Sequence, residues 1–357
     1  MVRASLLALA LCLCVRADLT LRVRADGSGD FASVQAALDF SAPGANASLG
    51  RLTLLLRGEF RERVYVYSNF SGGVSFLADP APAAAAVGAA PPAATIIFDV
   101  AGSSGAGTFG SFTTTVDCDG FVARGVAFAN DARGYNKTAA GQSVALGIHG
   151  DRAALLDCAL WGGQDTFYGG PRSRVYLGNT FVNGSCDSLF GEGALVAEDA
   201  AVAIFDTVTA QKGNGSTAYL FVNSDIVPAG PSITQLGRPW GPLAHTVYKD
   251  CYMGAGVAKE GWGDWNKGCT NHSNPHACDG VFYAEYNSTG PGAAPASRVW
   301  WSHQLNATEA AGWTREAVLS GWNPLADAAV RAARLHGPAA AWSAKSFARA
   351  LGADERK

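Results

Sequence analysis

The chain has 357 residues, of which 48% are hydrophobic and 16% are charged, and its formal net charge is −3. This length and apolar content are ample for a folded core, and the low fraction of charged residues argues against intrinsic disorder. No run of Lys or Arg stands out, so the composition gives no support to a nucleic-acid partner.

The N-terminus begins with an apolar segment. Arg3 precedes the apolar stretch of residues 5–15, and Val15 and Ala17 place small residues at the −3 and −1 positions of a cleavage site before Asp18. We therefore expect a signal peptide over residues 1–17; a buried N-terminal helix is the alternative. The stretch is too short to span a bilayer. We expect a secreted protein, located outside the cell or in the cell wall, with no membrane partner.

Sequons and cysteines agree with export. Eight N-x-S/T sequons without proline favour passage through a secretory pathway. Six cysteines follow the predicted signal, and a local bridge between Cys269 and Cys278 is the simplest of fifteen possible pairing schemes to begin from. A zinc site with His272 and His276 is the alternative, but the spacing is not that of a usual zinc site.

The first part of the mature chain mixes one helix with short strands. The pattern predicts an amphipathic helix from about Ala32 to Phe40, and the runs LTLLLR and RVYVY predict strands. Residues 81–94 are rich in Ala and Pro, which is typical of a surface insertion. The segment 326–357 has apolar helical spacing and predicts two short helices, split at Gly337, that pack on the rest of the protein.

An internal repeat dominates the middle of the chain. Residues 157–169 (DCALWGGQDTFYG) align with residues 179–191 (NTFVNGSCDSLFG) at an offset of 22 residues. The same Asx-plus-apolar pattern is expected to return at Asp206 and Asp250. A repeat of this length, built of short strands, indicates an all-β parallel solenoid whose coils stack at roughly 4.8 Å. An α/β domain is the alternative, but helix-length segments between the strands are missing. We expect one solenoid domain over residues 18–325.

The repeat brings two carboxylates together. Asp165 and Asp187 occupy equivalent positions in the two repeats, so their side chains should point the same way from neighbouring coils. Two such charges cannot both form at low cost, and one pKa rises while the other stays low. The result is a protonated acid beside a carboxylate nucleophile, which suits hydrolysis. The alternative is that both residues only cap turns.

Polar and aromatic residues around the pair support a site. Gln164 precedes Asp165, Gln142 lies in the preceding coil, and both amides can donate to a developing oxyanion. In the LGRPW segment, Arg238 can hold a carboxylate in a two-pronged contact and Trp240 can offer a flat face to a sugar ring.

These residues lie in sequence blocks that resemble the pectin methylesterases, also called pectinesterases. The resemblance runs over about residues 20–325, and the blocks occur in family order. The most specific of them are GQDTFY, DSLFG, LGRPW and AEYNSTGPGA.

The resemblance implies a right-handed parallel β-helix with short helices at both ends and an esterase that acts on pectin without metal or organic cofactor. It implies that Asp187 is the nucleophile, that Asp165 is the general acid and then the base, and that Gln142 and Gln164 line the oxyanion site. It also implies that Arg238 orients Asp187 and that Trp240 and Tyr168 contact the polysaccharide. We expect a monomer, with no inhibitor-like pro-domain before the catalytic blocks.

Two departures from the family pattern lie beside the nucleophile. Ser188 replaces an aromatic residue, and Cys186 directly precedes Asp187. A pectate lyase, a polygalacturonase and a non-catalytic pectin-binding solenoid are the alternative functions. A lyase needs calcium-binding carboxylates and a basic residue at the cleavage point, a polygalacturonase needs three clustered acids, and a binder needs neither aspartate.

Overall fold

The computed structural model describes most of the chain. The described residues are 17–42, 49–79, 93–132, 141–230, 233–265 and 278–335. The predicted signal peptide, nearly all of the predicted insertion at 81–94 and the second predicted C-terminal helix lie outside these ranges.

The described strands form three faces, named A, B and C, and every pairing between these strands is parallel. Face A contains β1 (Ala17–Arg24), β2 (Leu49–Arg61), β4 (Val74–Ala78), β7 (Val122–Arg124), β10 (Ala153–Leu156), β13 (Arg174–Gly178), β16 (Ala194–Glu198), β19 (Tyr219–Val222), β22 (His245–Lys249), β24 (Phe282–Tyr286) and β25 (His303–Gln304). Face B contains the end of β2 with β5 (Ala94–Phe98), β8 (Val126–Asn130), β11 (Ala159–Trp161), β14 (Phe181–Gly184), β17 (Ala201–Ile204), β20 (Asp225–Pro228) and β23 (Tyr252–Met253). Face C contains β3 (Val64–Val66), β6 (Thr114–Val116), β9 (Leu146–Ile148), β12 (Phe167–Gly169), β15 (Leu189–Gly191), β18 (Thr207–Gln211) and β21 (Gln235–Gly237).

The chain visits faces A, B and C in turn, and each circuit is one rung of a parallel β-helix. This confirms the predicted fold. The 22-residue offset holds on all three faces, since Leu155 pairs with Leu177, Leu160 with Val182, and Phe167 with Leu189. These six side chains are buried in the interior. Each fully buried aliphatic or aromatic side chain contributes about 1.5–3 kcal/mol.

The turn between faces A and B explains the periodic Asp and Asn residues. Its first residue has a left-handed backbone conformation, which Asn and Asp tolerate better than other side-chain-bearing residues. The column, with φ between 47° and 55°, consists of Asp157, Asn179, Asp199, Asn223, Asp250 and Asn287. Each asparagine amide donates to the preceding aspartate, at 2.6–2.7 Å.

This column corrects one expectation. The residue equivalent to Asn179 in the next rung is Asp199, 20 residues later, because Gly178 pairs with Glu198. Asp206 lies instead in the turn between faces B and C. The expectation for Asp250 is confirmed, since Val222 pairs with Lys249. Rungs of unequal length shift the sequence period without disturbing the stacking.

The described helices flank the strands. They are α1 (Val34–Ser41), α2 (Gly107–Gly110), α3 (Ala307–Ala311), α4 (Arg315–Val318) and α5 (Ala328–Leu335). The predicted first helix begins two residues later than expected, because the Ser33 side chain caps it by accepting from Ala36 N. Val318 in α4 and Val330 in α5 are buried against the outer side of face A.

The cysteines divide into two groups. Cys118, Cys158, Cys186 and Cys251 are free and buried. Cys278 is disulfide-bonded, while Cys269, its predicted partner, lies outside the described residues together with His272 and His276.

A buried ion pair joins the last rungs. Arg298 donates to both carboxylate oxygens of Glu285 at 2.6 and 3.1 Å, and both side chains are 2% exposed. The same guanidinium donates to the carbonyl oxygens of Ala258 and Gly292 at 2.9 and 3.0 Å. One arginine therefore fixes three segments that are distant in sequence.

We expect Arg298→Leu to lower the free energy of unfolding by about 3–5 kcal/mol, because it leaves the Glu285 carboxylate buried without its partner. Chemical denaturation of the purified variant measures this loss. The control is Glu260→Gln, which removes an ion pair with Lys259 whose side chains are 75% and 56% exposed and should change stability little. Equal stability of the two variants would contradict the role given to Arg298.

Candidate active site

Asp165 and Asp187 lie on adjacent rungs at the edge of face C. Each precedes its strand by two residues, Asp165 before β12 and Asp187 before β15, and the two strands pair in register. The backbone of Asp165 donates to the carbonyl of Cys186 at 2.9 Å, so the two turns are hydrogen-bonded to each other. Both residues are left-handed, with φ of 63° and 50°. The turn therefore favours Asp or Asn at both positions and aims the two carboxylates from equivalent places.

Arg238 holds one of the two carboxylates. It follows β21 directly, and its Nε and Nη2 donate to the two oxygens of Asp187 at 2.7 and 2.6 Å. Nη2 also donates to the sulfur of Cys186 at 3.2 Å, and the guanidinium carbon lies 4.1 Å from the ring centre of Trp265. The planar fork thus fixes the orientation of Asp187, whose side chain is only 3% exposed.

The two carboxyl groups differ in their preferred charge. Burial, followed by the negative charge of Asp187, raises the pKa of Asp165 well above its ordinary value. Burial also raises the pKa of Asp187, but hydrogen bonds and charge from Arg238 oppose that rise. The pair therefore keeps a proton on Asp165 and a negative charge on Asp187.

The two glutamines lie directly beside the carboxyl groups. Gln142 and Gln164 face each other across adjacent rungs in a parallel bridge, and both are half-buried. The carbonyl of Gln142 accepts from the backbone of Gly102 at 2.7 Å. A β-carbon at Gly102 would come within 2.9 Å of the Gln142 amide oxygen, so the loop around Gly102 packs closely on this side chain.

An aromatic wall covers the outer side of face C next to the carboxyl groups. It consists of Phe112, Val144, Tyr168, Phe190 and Ala210, with Trp240 and Trp265 packed against it. Tyr168 is 4% exposed, and its hydroxyl donates to Glu192 at 2.9 Å. Trp240 lies 6.0 Å from Phe190 between ring centres, and the Lys212 ammonium lies 4.9 Å from the Trp240 ring. The wall gives the site a surface suited to the apolar faces of sugars.

Comparison with known proteins accords with this geometry. The model of the pectinesterase family matches residues 20–322. The chain belongs to the pectinesterase family. Pectinesterase 31 from Arabidopsis thaliana is 34% identical over 308 residues, which cover 81% of this chain and 89% of that protein. This pectinesterase is therefore an enzyme that hydrolyses the esters of pectin.

Solved structures show the same architecture. The pectin methylesterase from carrot has a TM-score of 0.70 and 27% identity, and the match covers 84% of this chain and 93% of that one. A deglycosylated pectin methylesterase from Aspergillus niger, at 22% identity and a TM-score of 0.66, shares the fold over 85% of this chain.

The structure of this pectinesterase brings the predicted residues together. Asp165, Asp187, Gln142, Gln164 and Arg238 share one edge of face C, and Trp240 and Tyr168 lie on the adjoining wall. In the described ranges there is no cluster of three or more metal-ligating side chains, and no described helix is both long and apolar enough to cross a bilayer.

The two departures from the family pattern have different places. Ser188 is fully buried, and its hydroxyl oxygen is close to the position that a β-carbon would take at Gly184, so it faces the interior rather than the cleft. Cys186 contacts the arginine that holds the nucleophile candidate. Burial, followed by the charge of Asp187, raises the pKa of the Cys186 thiol above its ordinary value, and it stays protonated.

Sequence reasoning gave no role to several residues of the site. Glu192 accepts from Tyr168 and pairs with Lys212 at 3.2 Å, and Trp265 supports Arg238. Phe109, in α2, packs on Tyr168. Trp265 lies in the GWGDWN block, which marked the segment but not its contact. The other three carried no repeat and no motif.

The unequal pair can be detected directly. At about pH 5–6, where an ordinary aspartate is ionised, we expect Asp165 to be protonated and to give the infrared C=O stretch of a protonated carboxyl group. The difference spectrum against Asp165→Asn should contain this band. Asp199→Asn, a substitution at another left-handed aspartate, should leave it in place. A spectrum without the band would mean that Asp165 is ionised.

Proposed function

We propose that this pectinesterase hydrolyses the methyl esters of polygalacturonate with Asp187 as the nucleophile and Asp165 as the general acid and base. One observation carries the assignment: the bidentate contact of Arg238 with Asp187, one rung away from a carboxyl group that retains its proton. A nucleophile must be ionised and aimed, and a general acid must hold a proton close to the leaving group.

The first half of the reaction forms an acyl-enzyme. An oxygen of Asp187 attacks the ester carbonyl carbon, and the carbonyl oxygen becomes an oxyanion. The side-chain amides of Gln142 and Gln164 donate to this oxyanion as its charge develops. The carbon–methoxy bond then breaks while Asp165 gives its proton to the leaving oxygen. Methanol leaves, and the galacturonate carbonyl remains joined to Asp187 as an anhydride.

The second half restores the enzyme. Asp165, now a carboxylate, takes a proton from a water molecule, and the hydroxide attacks the anhydride at the galacturonate carbonyl. The bond to Asp187 breaks, Asp187 leaves as a carboxylate held by Arg238, and the sugar is released with a free carboxyl group. The net change is one ester and one water converted to one acid and one methanol, with the pectin backbone intact.

Trp240 and Tyr168 are the proposed contacts to the polysaccharide. Trp240 is half-buried at one end of the aromatic wall, where its ring face can stack on a sugar. Tyr168 exposes little surface, so we expect its part to be the shape of the cleft floor as much as direct contact.

Export, glycosylation and a monomeric state are further proposals. They are supported by the apolar segment before Asp18 and by sequons whose asparagines are exposed, among them Asn69 and Asn214. The sequon at Asn183 is an exception, since its side chain is buried and its amide donates to the carbonyl of Ala203. We expect no glycan at that position.

We expect Asp187→Asn to reduce methanol release from methyl-esterified pectin by at least about 10³-fold, because the amide cannot act as the nucleophile. Asp165→Asn should reduce it by about 10²–10⁴-fold. Asparagine is the better test than alanine, since both positions have positive φ and alanine would add about 1–2 kcal/mol of backbone strain.

Asp199→Asn is the matched control for both variants. It makes the same chemical change at a left-handed turn of the opposite corner and should keep full activity and the same melting temperature. A folded Asp187→Asn protein with near-normal methanol release would refute the assignment of the nucleophile.

The pH dependence tests Arg238. Its contact lowers the pKa of Asp187, and Arg238→Lys keeps the charge but loses the planar fork. Asp187 should then be protonated at a higher pH, so the acid limb of the pH–rate profile moves upward and kcat falls while substrate binding is retained. If Arg238 only braces the loop, melting temperature will fall and the acid limb will not move.

A further inference from the structure

An exposed aromatic ring stands at the edge of the active-site cleft. Phe109 lies in α2 and is 57% exposed. Its ring contacts Tyr168 edge to face, with 5.2 Å between the ring centres, and lies 5.8 Å from Phe112. Tyr168 is three residues after Asp165, which corresponds to about 10 Å along a strand. Phe109 therefore presents apolar surface within one or two sugar units of the proposed reacting carbonyl.

The wall has two chemically different ends. Phe112 precedes β6, and Tyr168 in β12 and Phe190 in β15 follow in rung order, with 5.8 and 5.0 Å between successive ring centres. Trp240 continues the row after β21, beside the Lys212 ammonium. The end near Lys212 is cationic, whereas the end formed by Phe109 and Phe112 is apolar.

Hydrogen bonds fix the turn that carries Phe109. Ser111 donates through both its backbone and its hydroxyl to the carbonyl of Thr108, at 3.1 and 2.7 Å. Arg63 donates to the carbonyl oxygens of Gly110 and Phe112 at 3.0 and 3.1 Å. The Phe112 ring also fills the space above Gly147, where a β-carbon would come within 2.2 Å of the ring. The ring of Phe109 is thus held in place before substrate binds.

A single exposed phenylalanine is common on protein surfaces and by itself needs no explanation. Phe40 is such a case: it is 59% exposed and packs on Phe31 at 5.3 Å, in α1. Phe109 differs because it packs on the wall beside the carboxyl pair and belongs to the same loop as Gly102, which supports Gln142.

We propose that Phe109 determines specificity by binding a methyl-esterified galacturonate unit next to the unit that reacts. This inference rests on the proposed function of the aspartate pair. The apolar face of a sugar and its ester methyl group lose water favourably against an aromatic ring. A free carboxylate at the same place would lose hydration without gaining a partner, because the neighbouring side chains Tyr168 and Phe112 offer it no positive charge. Phe109 therefore favours densely esterified pectin over pectin that is already demethylated.

The test compares Phe109→Ser with Phe109→Tyr and with the control Phe40→Ser, on pectin of high and of low methyl-ester content. Phe109→Ser should raise KM on highly esterified pectin by about tenfold with little change in kcat. On sparsely esterified pectin its KM should change less, so the preference for dense esterification is lost. Phe109→Tyr should keep most of the preference, and Phe40→Ser should match the unsubstituted enzyme.

Three results would overturn the proposal: an unchanged preference in Phe109→Ser, an equal rise of KM on both substrates, or a fall in kcat at constant KM, which would indicate a role through Gln142. The melting temperature of each variant separates loss of contact from loss of fold. Failure of the proposed function has a different signature, since it would appear as activity in Asp187→Asn whatever Phe109 does.

Discussion

The active site depends on the in-register stacking of successive rungs. Because Phe167 pairs with Leu189, the residues two positions before them, Asp165 and Asp187, must lie one rung apart and point the same way. The left-handed turn at both positions then decides the residue type, since Asp and Asn tolerate that backbone conformation. The same constraint that shapes the coil thus places two carboxyl groups side by side.

Such a pair is functional only if its members differ. Stacking alone would make Asp165 and Asp187 equivalent and mutually repulsive. The difference comes from Arg238, which approaches from the turn after β21 and contacts Asp187 through both oxygens. Cys186 and Trp265 in turn hold the guanidinium, so the asymmetry of the pair is built from residues on three separate segments. Asp165 lacks such a fork and keeps its proton.

The wall beside the pair shows how the outer face of the same strands can serve the substrate. Residues of face C alternate between the interior and the cleft, so Phe167 joins the core while its neighbour Tyr168 faces outward. The loop before β6 adds Phe109 and Phe112 at one end, and the segments after β18 and β21 add Lys212 and Trp240 at the other. The polarity of the cleft therefore follows from its loops, whereas its position follows from the strands.

The sequence by itself determined the fold, the rung length and the aspartate pair. Each of these leaves a periodic signal, because a stacked rung repeats its residue types about every 22 positions. Gln142, Gln164, Arg238 and Trp240 were also predictable, from short blocks that resemble the pectinesterase family. The sequence misplaced the equivalent of Asn179, since one rung is 20 residues long and the apparent match at Asp206 lies in another turn. Only the tertiary structure decided that Arg238 reaches Asp187 across 51 residues, that Trp265 lies beneath it, and that Phe109 packs on Tyr168. These contacts join loops that do not repeat, and side chains that meet through loop conformation leave no period in the sequence to read.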